Sequence, residues 1–177
     1  NYDILPDLFT TAKGLSGGLP QSALVGRKDL MDIYAPNTMT STHSGSPVAS
    51  AGTAANIKFL KEHNMCEEAL RKGKIMEERL KALWKQFPER ISYVSGIGMA
   101  WAVTFAEADT HAIHPEFALE VTKKCNENGL TFFAAVGAGI TMKLTPPLTI
   151  PDDALIEGLE AYATAVAEAD AIMPAYK

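Results

Sequence analysis

Lys13 is the residue of this 177-residue chain whose surroundings best suit covalent chemistry. It follows a short apolar segment, residues 8–12, and precedes a glycine-rich segment, residues 14–20. An amine in a partly dry site loses its proton more readily, because burial disfavours the ammonium form. The neutral amine attacks carbonyl carbon to form a Schiff base, and once released it shuttles protons. The alternative interpretation is a surface lysine at the end of an element.

A second group of chemistry-bearing residues lies in the polar loop 40–47, whose sequence is TSTHSGSP. Hydroxyls and backbone N–H groups that lead into a helix N-terminus suit a phosphate group. The alternative is a plain polar loop in which Ser46 caps the helix that Pro47 opens. Both interpretations predict a helix that starts at the end of this loop.

The four histidines do not predict a metal site. His111 and His114 are three residues apart, a spacing that metal ligands use, but we interpret both as loop residues. His63 lies near the end of a predicted helix, where a cation suits the helix dipole. His43 belongs to the polar loop and has no assigned role. We therefore predict that the chain binds no metal.

Hydrophobic patterns predict the elements that must position these residues. The predicted strands are residues 8–12, 23–26, two within 91–105 that meet at a bend over 96–98, 130–133 and 140–144. The predicted helices are residues 27–33 (a turn or two), 48–63, 66–87, 115–126 and 152–172. Three glycines and a proline within residues 13–20 predict no regular structure there. Lys13 is therefore expected where a strand gives way to a loop.

Three of these elements show which of their residues are buried. Helix 66–87 carries an apolar stripe at three- and four-residue spacing, formed by Cys66, Leu70, Gly73, Met76, Leu80, Leu83 and Phe87. In strand 140–144 the alternation puts Met142 and Leu144 on one face and Lys143 on the other. Small side chains early in helix 48–63 predict that its first half packs closely and is buried.

The order of the elements predicts the domain organisation. From about residue 90 the order is β–β–α–β–β–α, which indicates a compact two-layer α+β domain. Residues before about 48 have the glycine-rich character of the end of a different domain. We therefore divide the chain into residues 1–47, connecting helices over 48–89, and a C-terminal domain over 90–177.

Composition excludes several classes of function. The formal net charge of −5 argues against binding to nucleic acid or to an anionic membrane, since both require a surplus of Lys and Arg. No apolar run is long enough to cross a membrane. Two cysteines cannot form a disulfide scaffold, which indicates a reducing compartment and hence a cytoplasmic location.

Four segments of the chain together resemble class III aminotransferases, which are fold-type I enzymes dependent on pyridoxal 5′-phosphate. PDLFTTAKGLSGGLP over residues 6–20 resembles the family's segment around its cofactor lysine. STHSGSPVA over 41–49 resembles its phosphate-contacting loop. GIGM over 96–99 resembles the glycine bend of its small domain, and residues 129–150, which end in KLTPPLTI, resemble the end of that domain. The four segments keep the family's order, and their combination is specific.

The resemblance implies an α/β fold, namely the edge of the large domain of a fold-type I pyridoxal-phosphate transferase plus its small two-layer α+β C-terminal domain. It implies that Lys13 carries the cofactor as a Schiff base and moves a proton as the substrate amine becomes a ketone. Thr42 would donate its hydroxyl to the cofactor phosphate from the neighbouring subunit of a homodimer. Ser41 would add a backbone contact nearby. The implied reaction is transamination between an amine or amino acid and a 2-oxo acid.

Lys143 departs from the pattern that the resemblance suggests. Many members of the family carry Arg at the matching position, where it grips a substrate carboxylate with two parallel hydrogen bonds. Lysine supplies a point charge without that fork. Lys143 is therefore either a substrate-binding residue for a different acid or amine, or a solvated lysine on a strand.

The resemblance also implies that this chain holds only part of an active site. Family members are more than twice as long, and the Asp that holds the pyridine nitrogen normally precedes the lysine by more residues than are present here. The chain begins at Asn1 without Met, so we expect a preceding N-terminal portion of the same enzyme. The alternatives are an aminomutase, epimerase or decarboxylase of the same superfamily, or a non-catalytic split subunit.

Overall fold

The computed structural model of the protein describes five stretches of the chain, which are residues 3–38, 41–107, 112–113, 115–133 and 139–174. The chain forms two compact units, Asn1–Met65 and Cys66–Lys177. A compact unit is not the same as a family's domain, so the domain boundaries expected after residues 47 and 89 stay a prediction. Within the described stretches, no helix combines the length and the apolar character that crossing a membrane requires.

The first unit combines a two-stranded sheet with a long helix. Its elements are β1 (Leu8–Thr11), a 3₁₀ helix (Lys13–Ser16), β2 (Ala23–Gly26), α1 (Lys28–Met31) and α2 (Pro47–Glu62). β1 and β2 pair antiparallel, with Thr11 opposite Ala23. The guanidinium of Arg27 lies 2.9 Å from the carboxylate of Asp7 and 2.8 Å from that of Asp29, which ties the ends of the two strands to α1. The 3₁₀ helix lies in the hairpin loop between the strands.

The expectation that residues 13–20 lack regular structure is wrong. Lys13–Ser16 form a 3₁₀ helix, in which the Leu15 N–H donates to the Ala12 carbonyl at 3.1 Å. A 3₁₀ helix needs hydrogen bonds across only three residues, so the flanking glycines do not prevent it. Gly17, with φ of +69°, ends the helix in the left-handed conformation that glycine adopts freely.

The expectation that the first half of α2 is buried is also wrong. Ala49 is 7% exposed, but its neighbour Val48 is 71% exposed. Small side chains allow another element to approach closely, but they do not ensure that an element packs there. Around Gly52, α2 meets the 3₁₀ helix and the segment after it, since an added Cβ there would lie 3.4 Å from the Ser16 carbonyl oxygen and 2.9 Å from Leu19 Cδ1. Among the described residues, the predicted closeness is therefore found where α2 faces residues 14–19.

The second unit builds one hydrophobic core from three helices and a three-stranded sheet. Its elements are α3 (Met65–Gln86), β3 (Ile91–Ile97), β4 (Ala100–Phe105), α4 (Pro115–Glu127), β5 (Thr141–Leu144) and α5 (Asp152–Ile172). The strands are antiparallel in the order β3-β4-β5, so β4 is central. The residues of β4 alternate in burial, and Val103 and Phe105 on its inward face are 0% exposed.

Residues 130–133 do not form the strand that the sequence pattern predicts. The Leu130 N–H donates instead to the Cys125 carbonyl at 2.8 Å. The Phe132 N–H donates to the side chain of Asn126 at 3.4 Å. These backbone groups therefore bond to the end of α4 and not to a strand. Among the described residues, the order after residue 90 is β–β–α–β–α.

The apolar stripe of α3 is confirmed in its middle and differs at its start. The residues that lie in the core are Gly73, Met76, Leu80 and Leu83. Cys66 is exposed and Leu70 is 46% exposed. Lys72 is buried instead, because its amine donates to the carbonyls of Leu148 at 3.1 Å and Ile150 at 2.5 Å. A lysine can lie in the core when its donors are satisfied in this way.

Arg71 links α3 to the start of α5. Its guanidinium contacts the carboxylates of Glu68 and Asp152, each at 2.6 Å. Hydrogen bonding to Arg71 lowers the pKa of Glu68 and that of Asp152 below their ordinary values. Asp152 lies in the first turn of α5, where its negative charge also suits the helix dipole. The second half of the segment between β5 and α5 is therefore held against α3.

Candidate active site

Lys13 lies two residues beyond the end of β1, after Ala12, and begins the 3₁₀ helix. Its backbone φ is +52°, in the left-handed region that lysine rarely adopts. The side chain is exposed, and no described residue forms a hydrogen bond or an ion pair with its amine. No ion pair with a described residue occupies this amine, which leaves it accessible to a carbonyl compound. The partly dry site expected from the sequence is not found among the described residues, because the Lys13 side chain lies at the surface.

A side chain of α2 forms hydrogen bonds with the lysine turn, residues 13–17. The amide of Asn56 donates to the carbonyls of Gly14 at 2.8 Å and Leu15 at 3.0 Å. Gly17 lies beside the same amide, since an added Cβ there would be 3.6 Å from Asn56 Oδ1. One polar side chain therefore binds two successive peptide groups directly after Lys13.

The sequence pattern does not single out Asn56 as a site residue. The signal that points to it is spacing, because Gly52 and Asn56 are four residues apart and share one face of α2. That face meets the lysine turn at Gly52, where an added Cβ would lie 3.4 Å from the Ser16 carbonyl. Ser16 is 5% exposed, and its hydroxyl donates to the Leu19 carbonyl. The turn is therefore anchored both internally and to the helix.

The phosphate-loop residues Ser41 and Thr42 are both exposed. The Ser41 carbonyl accepts hydrogen bonds from the backbone N–H of Ser44 at 3.1 Å and from its hydroxyl at 2.9 Å. Gly45, with φ of +70°, then turns the chain into α2. No described contact joins Thr42 to Lys13, and the Thr42 hydroxyl has no partner among the described residues. Its hydroxyl is therefore available to a ligand.

Lys143 lies on β5 in the second unit, opposite Ala102 of β4. Its neighbours Met142 and Leu144 are 0% and 6% exposed, whereas Lys143 itself is exposed. The predicted alternation of this strand is confirmed. Lys143 also lines a cavity of about 340 Å³ whose other lining residues are mostly apolar, among them Phe133 and Pro146.

The donors in the first unit fit two parts of pyridoxal phosphate. The Lys13 amine suits its aldehyde, and the hydroxyl of Thr42 with the nearby backbone N–H groups suits its phosphate. Asp7 does not suit its pyridine nitrogen, since that carboxylate already pairs with Arg27 at 2.9 Å. The fit is therefore partial. His111 and His114 lie outside the described residues.

The family profile described as aminotransferase class-III matches residues 1–166 of the chain. This chain belongs to the class III aminotransferase family. Enzymes of this family use pyridoxal phosphate, and the family assignment made from the four segments is confirmed. The expected C-terminal part of a fold-type I transaminase is confirmed as well.

Two curated relatives illustrate the range of this class III family. The probable 4-aminobutyrate aminotransferase of Bacillus subtilis is 32% identical over 160 residues, which are 90% of this chain and 36% of that protein. The leucine/methionine racemase of Thermococcus litoralis is 33% identical over 171 residues, which are 96% of this chain and 38% of that protein. This chain therefore spans little more than a third of the length of these relatives.

A solved structure supports the class III fold directly. The ornithine aminotransferase of Plasmodium yoelii is 30% identical and superposes with a TM-score of 0.83, over 96% of this chain and 43% of that chain. Both compact units are therefore represented in the match. The individual roles expected for Lys13, Ser41, Thr42 and Lys143 stay predictions.

Proposed function

We propose that this chain is the C-terminal part of a longer pyridoxal-phosphate-dependent aminotransferase that moves an amino group between an amine or amino acid and a 2-oxo acid. The observation that carries the proposal is the Lys13 amine, which has no partner among the described residues and lies on an anchored turn in a class III chain. Relatives named as 4-aminobutyrate and ornithine aminotransferases support the reaction class.

Lys13 has two tasks in this proposal. Its amine binds the aldehyde carbon of pyridoxal phosphate covalently and gives up that position when an amino substrate arrives. When bound, the cofactor supplies an electron sink for negative charge at the substrate carbon. The released Lys13 amine would then accept the proton from the substrate carbon that bears the amino group and deliver it to the former aldehyde carbon. An exposed amine on a turn with fixed backbone suits both tasks.

Thr42 and Ser41 hold the phosphate in this proposal. The Thr42 hydroxyl donates to a phosphate oxygen, and the Ser41 backbone N–H adds a contact nearby. We expect these residues to serve the Lys13 of a neighbouring copy, so that a homodimer shares its sites. The exposed Thr42 hydroxyl without a described partner in its own chain supports this arrangement.

Lys143 binds the acid group of a substrate in this proposal. Its exposed position beside an apolar cavity suits a small substrate with one negatively charged end. We also propose a cytoplasmic enzyme, which the two free cysteines Cys66 and Cys125 support.

A racemase is the second candidate function. The observation that favours it is the leucine/methionine racemase relative, at 33% identity over 96% of this chain. A transaminase consumes one 2-oxo acid for each amino group that it removes, whereas a racemase inverts a carbon without consuming one. The consumption of added 2-oxo acid in stoichiometric exchange therefore distinguishes the two functions.

The decisive experiment replaces Lys13 in the full-length enzyme. Lys13→Ala is expected to lower turnover by about a thousandfold or more, because the covalent and proton-transfer roles are lost together. Borohydride reduction and peptide mapping of the wild type are expected to find a pyridoxyl group on Lys13. Lys28→Ala is the matched control, since Lys28 is an exposed lysine of the same unit that pairs with Asp32. Retained turnover in Lys13→Ala would refute the proposal, and an unlabelled Lys13 would indicate a non-catalytic subunit.

A further inference from the structure

The lysine turn has a backbone that needs support from outside itself. Lys13 has φ of +52°, and a residue other than glycine keeps such a conformation only where its surroundings hold it. Within the turn, the Leu15 N–H donates to Ala12 at 3.1 Å and the Gly17 N–H donates to Gly14 at 3.3 Å. Two short-range bonds in a four-residue 3₁₀ helix are a weak restraint.

The side chain of Asn56 supplies the missing restraint. Its amide spans the carbonyls of Gly14 and Leu15, at 2.8 and 3.0 Å, and so holds two successive peptide planes. Asn56 lies inside α2, a helix of 16 residues, and is therefore a fixed reference for the turn. Gly17 packs beside the same amide. Asn56 is 42 residues from Gly14 and 41 residues from Leu15 in the sequence. Both hydrogen bonds are therefore tertiary contacts, which interactions within the turn do not replace.

We propose that Asn56 is a positioning residue that holds the lysine turn so that the Lys13 amine reaches its carbonyl partner in one orientation. Asn56 does not touch the reacting atoms in this role. It acts through the peptide groups of Gly14 and Leu15, whose planes determine the direction of the chain that leaves Lys13. The inference rests on the proposed function of Lys13 and adds a residue to it.

The test uses two substitutions of Asn56 in the full-length enzyme. Asn56→Asp keeps the shape but replaces the donor by a carboxylate that faces two carbonyl oxygens, which is repulsive. Asn56→Leu keeps a similar size, carries no charge and has no donor. Asn64→Asp is the matched control. Asn64 lies just beyond the end of α2, so this substitution introduces the same negative charge away from the lysine turn. Thermal unfolding first checks that each variant is folded, and Asn56→Leu is used if Asn56→Asp is not.

Two measurements follow, and the first is amide hydrogen exchange. We expect the N–H groups of Leu15 and Gly17 to exchange about tenfold faster in both Asn56 variants, because the carbonyls of Gly14 and Leu15 lose their hydrogen bonds to α2. The exchange within α2 and the whole profile of Asn64→Asp should match the wild type. Unchanged exchange at Leu15 and Gly17 overturns the inference.

The second measurement is the rate at which pyridoxal phosphate becomes attached to Lys13 of the apoenzyme, trapped by borohydride and read by peptide mapping. We expect this rate to fall about tenfold in the Asn56 variants and to stay unchanged in Asn64→Asp, since a mobile turn presents the amine in many orientations. We also expect kcat to fall while KM for the amino donor stays within about twofold.

The outcomes separate the inference from the proposed function. If the wild type attaches the cofactor to Lys13 and the Asn56 variants attach it equally fast, the positioning role is wrong and the proposed function stands. If the wild type does not attach it to Lys13, the proposed function is wrong and the inference falls with it.

Discussion

The side chains proposed to act in the site differ in how many tertiary contacts fix their positions. The turn that begins at Lys13 is bonded to Asn56, so in the proposal the reactivity of Lys13 depends on atoms that are distant in sequence. Lys143 is held by strand alternation alone, between the buried residues Met142 and Leu144. Lys13 therefore has a backbone fixed by tertiary contacts, whereas Lys143 has an exposed charge beside a cavity.

Substitution of Lys143 tests whether that charge binds substrate. In the full-length enzyme, Lys143→Ala is expected to raise KM for an acidic substrate about tenfold, because a charge-assisted hydrogen bond is lost. Lys143→Arg should lower KM for substrates whose carboxylate accepts two parallel hydrogen bonds. Steady-state kinetics with acidic and neutral donors measure both effects. Lys74→Ala, a change at an exposed lysine of α3, is the control. Equal KM values for Lys143→Ala and wild type would identify a solvated strand lysine.

At the scale of elements, α3 and the turn between β3 and β4 cross in close contact. A Cβ added to Gly73 of α3 would lie 2.5 Å from the Gly98 carbonyl oxygen and 2.6 Å from its Cα. Gly98 has φ of +56°, and its carbonyl accepts the Trp101 indole N–H at 2.8 Å. Neither partner can move as a flexible side chain would, so the helix can approach the hairpin this closely only with glycine at position 73.

The substitution Gly73→Ala is therefore expected to lower the free energy of unfolding by about 3 kcal/mol, as overpacking against backbone does. Gly158→Ala is the matched control in α5, since its added Cβ would lie 3.7 Å from Leu130 Cδ1, an ordinary contact. That variant should be more stable than the wild type by about 0.5 kcal/mol, because glycine weakens a helix interior. Urea unfolding followed by circular dichroism measures both. A Gly73→Ala protein as stable as wild type would contradict the close crossing.

For the whole molecule, the two units contrast in the size of their cores. The second unit buries side chains from all its helices and strands in one cluster. Among the described residues of the first unit, the buried apolar side chains are Ala49 and Met65. Large apolar side chains such as Leu5, 97% exposed, and Ile33, 70% exposed, lie at its surface. A unit with so little buried apolar surface cannot offset the entropy of ordering its own chain.

The two units are therefore expected to behave differently when each is produced alone. Residues 66–177 should unfold in a single cooperative transition, whereas residues 1–65 should show none, because the first unit lacks a core. Thermal circular dichroism of the two pieces measures this. A sharp transition in residues 1–65 would show that the first unit is stabilised by contacts other than apolar burial.

Much of the fold follows from local patterns in the chain. The three-four spacing in the middle of α3, the alternation of β4 and β5, and the bounds of α5 at Asp152–Ile172 agree with the structure, because helix and strand periodicity is visible over neighbouring residues. The family is visible in the sequence for a related reason, since its chemistry needs short segments such as the one around Lys13.

The features of the fold that local patterns do not predict depend on contacts between segments that are distant in sequence. Residues 130–133 have the composition of a strand, but their N–H groups bond to α4, and composition cannot show which partner a backbone group finds. Lys72 is buried because two carbonyls lie within its reach, and Asn56 matters because the lysine turn folds back onto α2. Each of these depends on which surfaces meet in three dimensions, and periodicity along the chain does not encode that.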